Sequence, residues 1–498
     1  MFTISKTICM LTLFATFIYA QSFSPEFTAG PDMNIARMGH YTVTFDDGGV
    51  LHVGGRGTGF TSLNTSDLFT TGPDTFVIDT MNYPHDFGAV ARLNNGKILI
   101  AAGAANSGVA PGYNTAELYD PETETYTPTG ALVYARMNVA AATLNNGKVL
   151  IVGGWYNVTS SAYGEIYDPE AGTFSATGAL NTSRANPIVL PAEDGGAIII
   201  GGSPTYGGNT IKQVEYYNPG LNTFTVLKDY LFSEQDPNWV PMNNDSYNRL
   251  MDVQKIDDNN YLLMAYDNSS ADSTCYTLFT VNTDDKTITK FNTKNKLANS
   301  KTHSFYAPVV DRINNVVYLP AIKAGIDPTE LDLFALNLSD STVTMSDTTY
   351  TFPAAYYLTY SSFQLLNDGR ILNSGGHSQT GYNTNFSPIP NTLFIEPKWE
   401  STVIRNNSRT AGNFMLIDNY PNPFNSSTTI QFSLAKNGLV TIDILNILGQ
   451  LVKRLDMGEY TRGTHTLQWN AGSQPSGIYF CRLATTEGVK VRKLSLIK

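Results

Sequence analysis

A chain of 498 residues, 42% hydrophobic and 15% charged, is too long for one compact core and too apolar for bulk disorder, so two or more folded domains are expected. Its 41 glycines, 28 tyrosines and 25 phenylalanines point to β-structure, because aromatic side chains suit half-buried strands and glycines suit tight turns. Formal net charge is −11; nine basic and five acidic residues make 418–498 net +4 and leave residues 21–417 at −16, an acidity that disfavours nucleic acid or an anionic membrane as partner of the main body.

The first twenty residues read as a secretory signal. Lys6 supplies the positive start, Ile8 to Ile18 form a short apolar run, and the small Ala20 offers a cleavage point. That run is too short for a confident span, and no other stretch approaches the ~20 apolar residues a transmembrane helix needs. Cys9 would leave with the signal. Cys275 and Cys481 then fall in different proposed domains, which makes no disulfide framework and suggests two buried thiols.

A unit of about fifty residues follows and repeats. Asp47-Gly48-Gly49-Val50-Leu51-His52-Val53-Gly54-Gly55 returns as Asn95 to Gly103, Asn146 to Gly154 and Asp194 to Gly202. Weaker copies run Asn259 to Ala265 and Asn314 to Leu319, and a seventh, Asp368 to Gly376, returns to form. Outside the weak copies, each is a hairpin turn, Asp/Asn-Gly, followed by a short apolar strand that ends in glycine. A second strand comes later (Glu117-Leu118-Tyr119-Asp120-Pro121, Glu165 to Pro169, Glu215 to Pro219), and an aromatic residue opens a last one at Tyr126, Phe174 and Phe224. Four short strands per unit make a propeller blade. Residues 23–37 match the bridging stretch 174–184, while the seventh unit stops early at Pro397, so the N-terminal segment is expected to supply that blade's missing outer strand.

These residues resemble the kelch repeat, whose marks are an apolar strand ending in Gly-Gly, a following Glu-x-Tyr-Asp and a later aromatic. The resemblance spans about 22–400 and implies a seven-bladed propeller of the type found at the centre of galactose oxidase.

Aligned on their glycines, the repeats place Arg37, His85, Arg136, Arg184 and Arg249 at one equivalent position, with Ser304 and Leu358 there in the sixth and seventh. Such a circle of cations could receive an anionic ligand. Acidic residues recur alongside at Asp67, Glu117, Glu165 and Glu215, which favours internal hydrogen bonding instead. Galactose-oxidase-type copper chemistry would need imidazole and phenolate ligands with a cysteine–tyrosine crosslink. His377 with Tyr382 is the nearest approach and is incomplete, so neither a metal nor another cofactor is expected. Asp229, Glu234, Asp236 and Asp245 cluster around Trp239 in an insertion between the fourth and fifth units, where a sugar could stack. Loops at Ala104–Thr115, Thr225–Tyr247 and His377–Pro390 are long enough to form a binding face. No zinc-type His-Glu-x-x-His, nucleophile elbow or Walker loop is present.

Residues 401–417 are polar and read as a linker. From Asn419-Tyr420-Pro421-Asn422-Pro423-Phe424-Asn425 onward, alternation at Thr428–Leu434 and Val440–Leu445, a turn through Gly449, and strands at Gly463–Asn470, Ser476–Phe480 and Val489–Ile497 predict a small antiparallel β-sandwich. This segment resembles the type A sorting domain of the type IX secretion system, in the Asn-Tyr-Pro-Asn-Pro-Phe opening, the Gly449 turn, the Gly477-Ile478-Tyr479 run and the basic ending at Lys498. The resemblance implies handling by the outer-membrane translocon, with release or attachment at the cell surface.

The expectation is therefore an all-β exported protein: signal 1–20, seven-bladed kelch-like propeller 21–400, linker 401–417 and sorting sandwich 418–498. Its expected work is binding an extracellular glycan or protein; a secreted carbohydrate-active enzyme, glycosidase or galactose-oxidase-like, is the alternative.

Overall fold

A computed structural model describes residues 20–104, 112–156, 159–204, 211–228, 239–241, 253–267, 275–294, 297, 303–323, 330–352, 356–379, 386–402, 415–422, 424–434, 437–446, 451–472, 474–485 and 488–497. The chain divides into two compact units, Met1–Thr402 and Val403–Lys498. Among the described residues there is no α-helix; one short 3-10 turn, Thr58–Phe60, interrupts an otherwise all-β chain.

The first unit is a β-propeller. Its described residues contain seven antiparallel sheets of four to six strands, one for each copy of the repeat. In the first blade Tyr41–Thr44, Val50–Val53, Thr65–Thr70 and Thr75–Thr80 pair in sequence order, and the next three blades repeat that order. The local chemistry of the repeat explains each bend. Gly48, Gly96, Gly147, Gly195 and Gly369 all have positive φ at the first hairpin. The side chain before each glycine accepts a backbone N–H two residues on, as Asp47 Oδ1 does from Gly49 at 2.8 Å and Asn146 Oδ1 from Lys148 at 3.1 Å. The second strand, wholly apolar in the second, third and fourth blades, is buried there on both faces. The later aromatics are cross-strand partners: Tyr119 with Tyr126, Tyr167 with Phe174 and Tyr217 with Phe224, ring centroids 4.8, 4.7 and 5.1 Å apart.

The Gly-Gly pair lets adjacent blades meet. A methyl group on Gly54 would sit 2.8 Å from the carbonyl oxygen of His85 in the next blade, and one on Gly375 would sit 2.6 Å from that of Arg37. Gly103 and Gly154 donate their N–H groups across the same junction, to Arg136 O and Arg184 O, both at 2.9 Å. The weakly matched fifth and sixth repeats lack the pair. Their second strands run for eight residues, Asn260–Asp267 and Val316–Lys323, and pair with the third strand alongside; the seventh blade's strand, Ile371–Gln379, is as long and runs through its glycine pair.

The ends of the propeller close on each other. Glu26–Ala29 pairs antiparallel with Thr392–Glu396 as the outer strand of the last blade, and Ala20–Phe23 pairs with Trp399–Thr402. Phe23 is buried between Trp399 and Tyr318, at ring distances of 4.7 and 6.0 Å.

The second unit has a three-stranded sheet (Met415–Tyr420, Ser427–Leu434, Gly463–Asn470) and a four-stranded one (Gly438–Leu445, Leu451–Tyr460, Gly477–Thr485, Gly488–Leu496), all antiparallel. Alternating residues from both sheets fill one core: Phe432, Ile442, Ile444, Trp469, Leu483 and Leu494. Cys481 is buried there as a free thiol, its pKa pushed up to about 12 by burial and then by the Asp443 carboxylate.

Candidate functional site

The circle of cations lies inside the blades. Arg136 is buried; its Nη1 donates to the carbonyls of Gly153 (2.8 Å) and Tyr163 (2.6 Å), and its Nη2 donates to Glu165 Oε1 at 2.8 Å. Arg37 repeats this with Gly54 O, Thr65 O and Asp67, and Arg184 with Gly201 O, Gln213 O and Glu215. His85 takes the place in the second blade, bonding Ala102 O at 2.7 Å and Glu117 at 3.0 Å. Each carboxylate also accepts backbone N–H groups from the connection entering its blade: Glu165 from Val133 and Tyr134, Glu215 from Asn181 and Thr182. Burial pulls the pKa of the three guanidinium groups below its usual value, and the paired carboxylate opposes that. Four of the five residues singled out from the sequence are therefore engaged by the blade's own carbonyls and carboxylates. Arg249 lies outside the described residues.

His377 is buried on the strand Ile371–Gln379, its ring 6.0 Å from that of Tyr360. Tyr382 lies outside the described residues, as do Asp229, Glu234, Asp236, Asp245 and most of the three long loops. The backbone of Trp239 forms a short strand, Trp239–Pro241, against Asn260–Asp267. Among the described residues no three His, Cys, Asp or Glu side chains gather to hold a metal.

The end of the blades where the Gly-Gly pairs sit carries surface features not singled out by the repeat. Directly after Gly154 the chain makes a hairpin, Trp155–Tyr156 with Thr159–Ser160, which leaves Tyr156 49% exposed. Tyr163, 45% exposed, stacks face to face on Tyr134 with ring centroids 3.8 Å apart. Nearby in the chain's first two blades Arg56 pairs with Asp86 at 2.6 Å and lies over the Phe87 ring. Reading the tyrosines as a group needed the blade geometry, because Tyr134 and Tyr163 come from different connections.

In the second unit the sorting motif is a clamp on the terminal strand. Asn422 Oδ1 accepts the N–H of Ser495 (2.9 Å), its Nδ2 donates to Lys493 O (3.3 Å), and the buried Phe424 exchanges backbone bonds with Ser495 and Ile497. Asn419 and Tyr420 lie on the strand Met415–Tyr420, Pro421 O accepts the Thr428 hydroxyl, and Tyr479, at the strand after Gly477, donates its hydroxyl to Pro475 O. Pro423, Gly449 and Lys498 lie outside the described residues.

Fold and clamp together define a kelch-type propeller carrying a secretion tail. Residues 418–498 match the family described as Secretion system C-terminal sorting domain, and residues 138–178 match the Kelch motif. No curated protein matches the chain. Among solved structures it is similar to a fungal alcohol oxidase described as showing catalytic diversity among the AA5 family, in complex with copper: 14% identity, TM-score 0.51, covering 95% of this chain and 99% of that one. At that identity the likeness is one of fold. The protein is exported by the type IX route and is secreted or held at the cell surface.

Proposed function

We propose that the propeller is a binding module displayed outside the cell, which takes a glycan or a protein surface on the Gly-Gly end of its blades. The observation that carries this is the tyrosine group Tyr134, Tyr156 and Tyr163: a stacked pair and a hairpin-borne ring, two of them nearly half exposed. Flat aromatic faces held by blade backbone suit sugar rings and protein hot spots, since they contribute contact area at low entropic cost. The cleavable signal over residues 1–20 and processing in 401–417 belong to the same proposal. The test is a glycan array probed with the purified chain, alongside Tyr156→Ala and Tyr163→Ala. Specific binding that both variants weaken about tenfold supports the reading, while binding untouched by either overturns it.

The copper in the structurally similar oxidase raises a second reading, oxidation of an alcohol. The described residues do not fit that group: no three-ligand cluster is present, and Cys481, the one thiol whose side chain is described, sits in the second unit's core. Stoichiometric copper in the purified chain would reverse the order of the two readings.

A further inference from the structure

One ion pair at the Gly-Gly end stands outside the repeat. The residue after the glycines bridges the connection entering its own blade, which pairs Arg56 with Met38, Ala104 with Asp86, Trp155 with Met137 and Ser203 with Ala185 in the first four blades. Only Arg56 and Asp86 are charged in that series, and they meet across the junction of the first and second blades at 2.6 Å. Two aromatic rings flank the guanidinium, with its carbon 4.1 Å from the Phe87 centroid and 5.8 Å from that of Phe60. Both phenylalanines hold positive φ, 58° and 61°, a conformation unfavourable for a bulky side chain. The blades on either side place Gly39 and Asn138 where the second has Phe87, and these adopt the conformation with less strain.

The pair leaves the outer edge of the guanidinium unused. Asp86 Oδ2 accepts from Nε alone. A guanidinium carries five N–H groups, so the four on Nη1 and Nη2 remain, and none has an acceptor among the described residues. The side chain is 9% exposed, yet neither Nη is sealed from solvent. A cation so nearly buried, fixed through Nε and packed against a ring, is ordered before any ligand arrives. Its open edge matches two oxygens in one plane.

We propose that Arg56 receives the carboxylate of a uronic acid in an extracellular glycan, on Nη1 and Nη2, with the sugar ring beside Phe60. A carboxylate suits the site better than a doubly charged phosphate, because Asp86 already offsets the cation in part and the body of the propeller is acidic. A uronic acid bears its carboxylate on a rigid ring, so binding freezes fewer rotors than an aspartate or glutamate side chain would lose. The proposal rests on the reading that this end of the blades takes a ligand, but it shares no residue with the tyrosine group.

The experiment is calorimetric titration of the full chain with a tetrasaccharide ending in glucuronic acid, and with the same tetrasaccharide reduced at its carboxyl to the alcohol. The acid should bind about ten- to a hundredfold more tightly, the worth of charge-assisted hydrogen bonds. Arg56→Lys keeps the charge but loses the planar fork, and should abolish most of that preference while circular dichroism shows a folded chain. Phe60→Asn suits the positive φ and removes the ring; it should weaken both forms by a similar factor, and it carries the test if Arg56→Lys does not fold. Tyr156→Ala and Tyr163→Ala should leave the preference for the acid unchanged, so failure of the tyrosine reading and failure of this one are told apart. Equal binding of the two forms, binding of neither, a preference that survives Arg56→Lys, or indifference to Phe60→Asn would each overturn the proposal. Tighter binding of an acetylated peptide ending in glutamate would overturn the glycan in favour of a protein partner.

Discussion

Arg136 and Glu165 show what the recurring ion pair does for a blade. Neither side chain is exposed, and the carboxylate also holds two backbone N–H groups of the incoming connection. Removing the cation alone strands a buried charge, so Arg136→Met should cost about 3–5 kcal/mol in denaturant unfolding. Replacing both, Arg136→Met with Glu165→Leu, should recover only part, because the N–H groups of Val133 and Tyr134 still lose their acceptor. Full recovery would mean that the pair itself is the whole contribution. Ala102 gives a test of opposite sign. It holds the first-glycine position of the second blade with φ +62°, a conformation that disfavours a side chain by roughly 1–2 kcal/mol. Ala102→Gly restores the repeat and, after the larger unfolded-state entropy of glycine, should raise stability by about 0.5–1 kcal/mol. A lower unfolding midpoint would show that the Ala102 methyl contributes packing that outweighs its strain.

Elements were legible in the sequence wherever backbone geometry demands a particular residue. Asp/Asn-Gly fixed the first hairpin and Gly-Gly the blade junction, so the first four blades and the seventh could be read directly, as could the closing N-terminal strand. The fifth and sixth blades were faint because Asn259-Asn260 and Asn314-Asn315 stand where the others have Asp/Asn-Gly, and no glycine follows the strand. The strand Leu451–Tyr460 went unread for a different reason: its charged residues break the alternation that marks its neighbours. The cations were legible as a set; their hydrogen-bond partners were not, apart from the recurring carboxylates. The hydrogen-bonded chain from His52 through Ser374 and Ser362 to His40 joins residues more than 300 positions apart, which no local pattern announces. Closure is the element most open to test. Thr28 sits opposite Phe394 in the outer strand. Thr28→Pro removes a ladder donor and should deprotect amides of Thr392–Glu396 in hydrogen exchange before those of the second blade. Uniform deprotection of all blades would show instead that the ring opens as one unit.

At the scale of the whole molecule the closing seam makes the propeller sensitive to acid. His40 and His52 are buried as neutral rings, each depressed chiefly by burial; His40 also faces His52 and Arg37, and His52 faces Arg37, which lower its pKa, and Asp67, which raises it. Tyr360 and His377, packed against each other, come from the last blade. An unfolded chain takes up protons on both rings near pH 6.5, whereas the folded chain resists until about pH 4 at His52 and well below the usual value at His40. The sign follows from that difference: the unfolded state binds more protons, so stability is complete above about pH 6.5 and falls as pH drops through that value. Each ring should contribute a slope of about 1.4 kcal/mol per pH unit between roughly pH 6 and 5, above the range where most carboxylates titrate. Thermal unfolding of the chain from pH 7.5 to 5 should therefore show a falling midpoint. The double variant His40→Gln with His52→Gln should be less stable at pH 7.5 yet lose less on acidification. Equal pH slopes in the two proteins would place the acid sensitivity elsewhere.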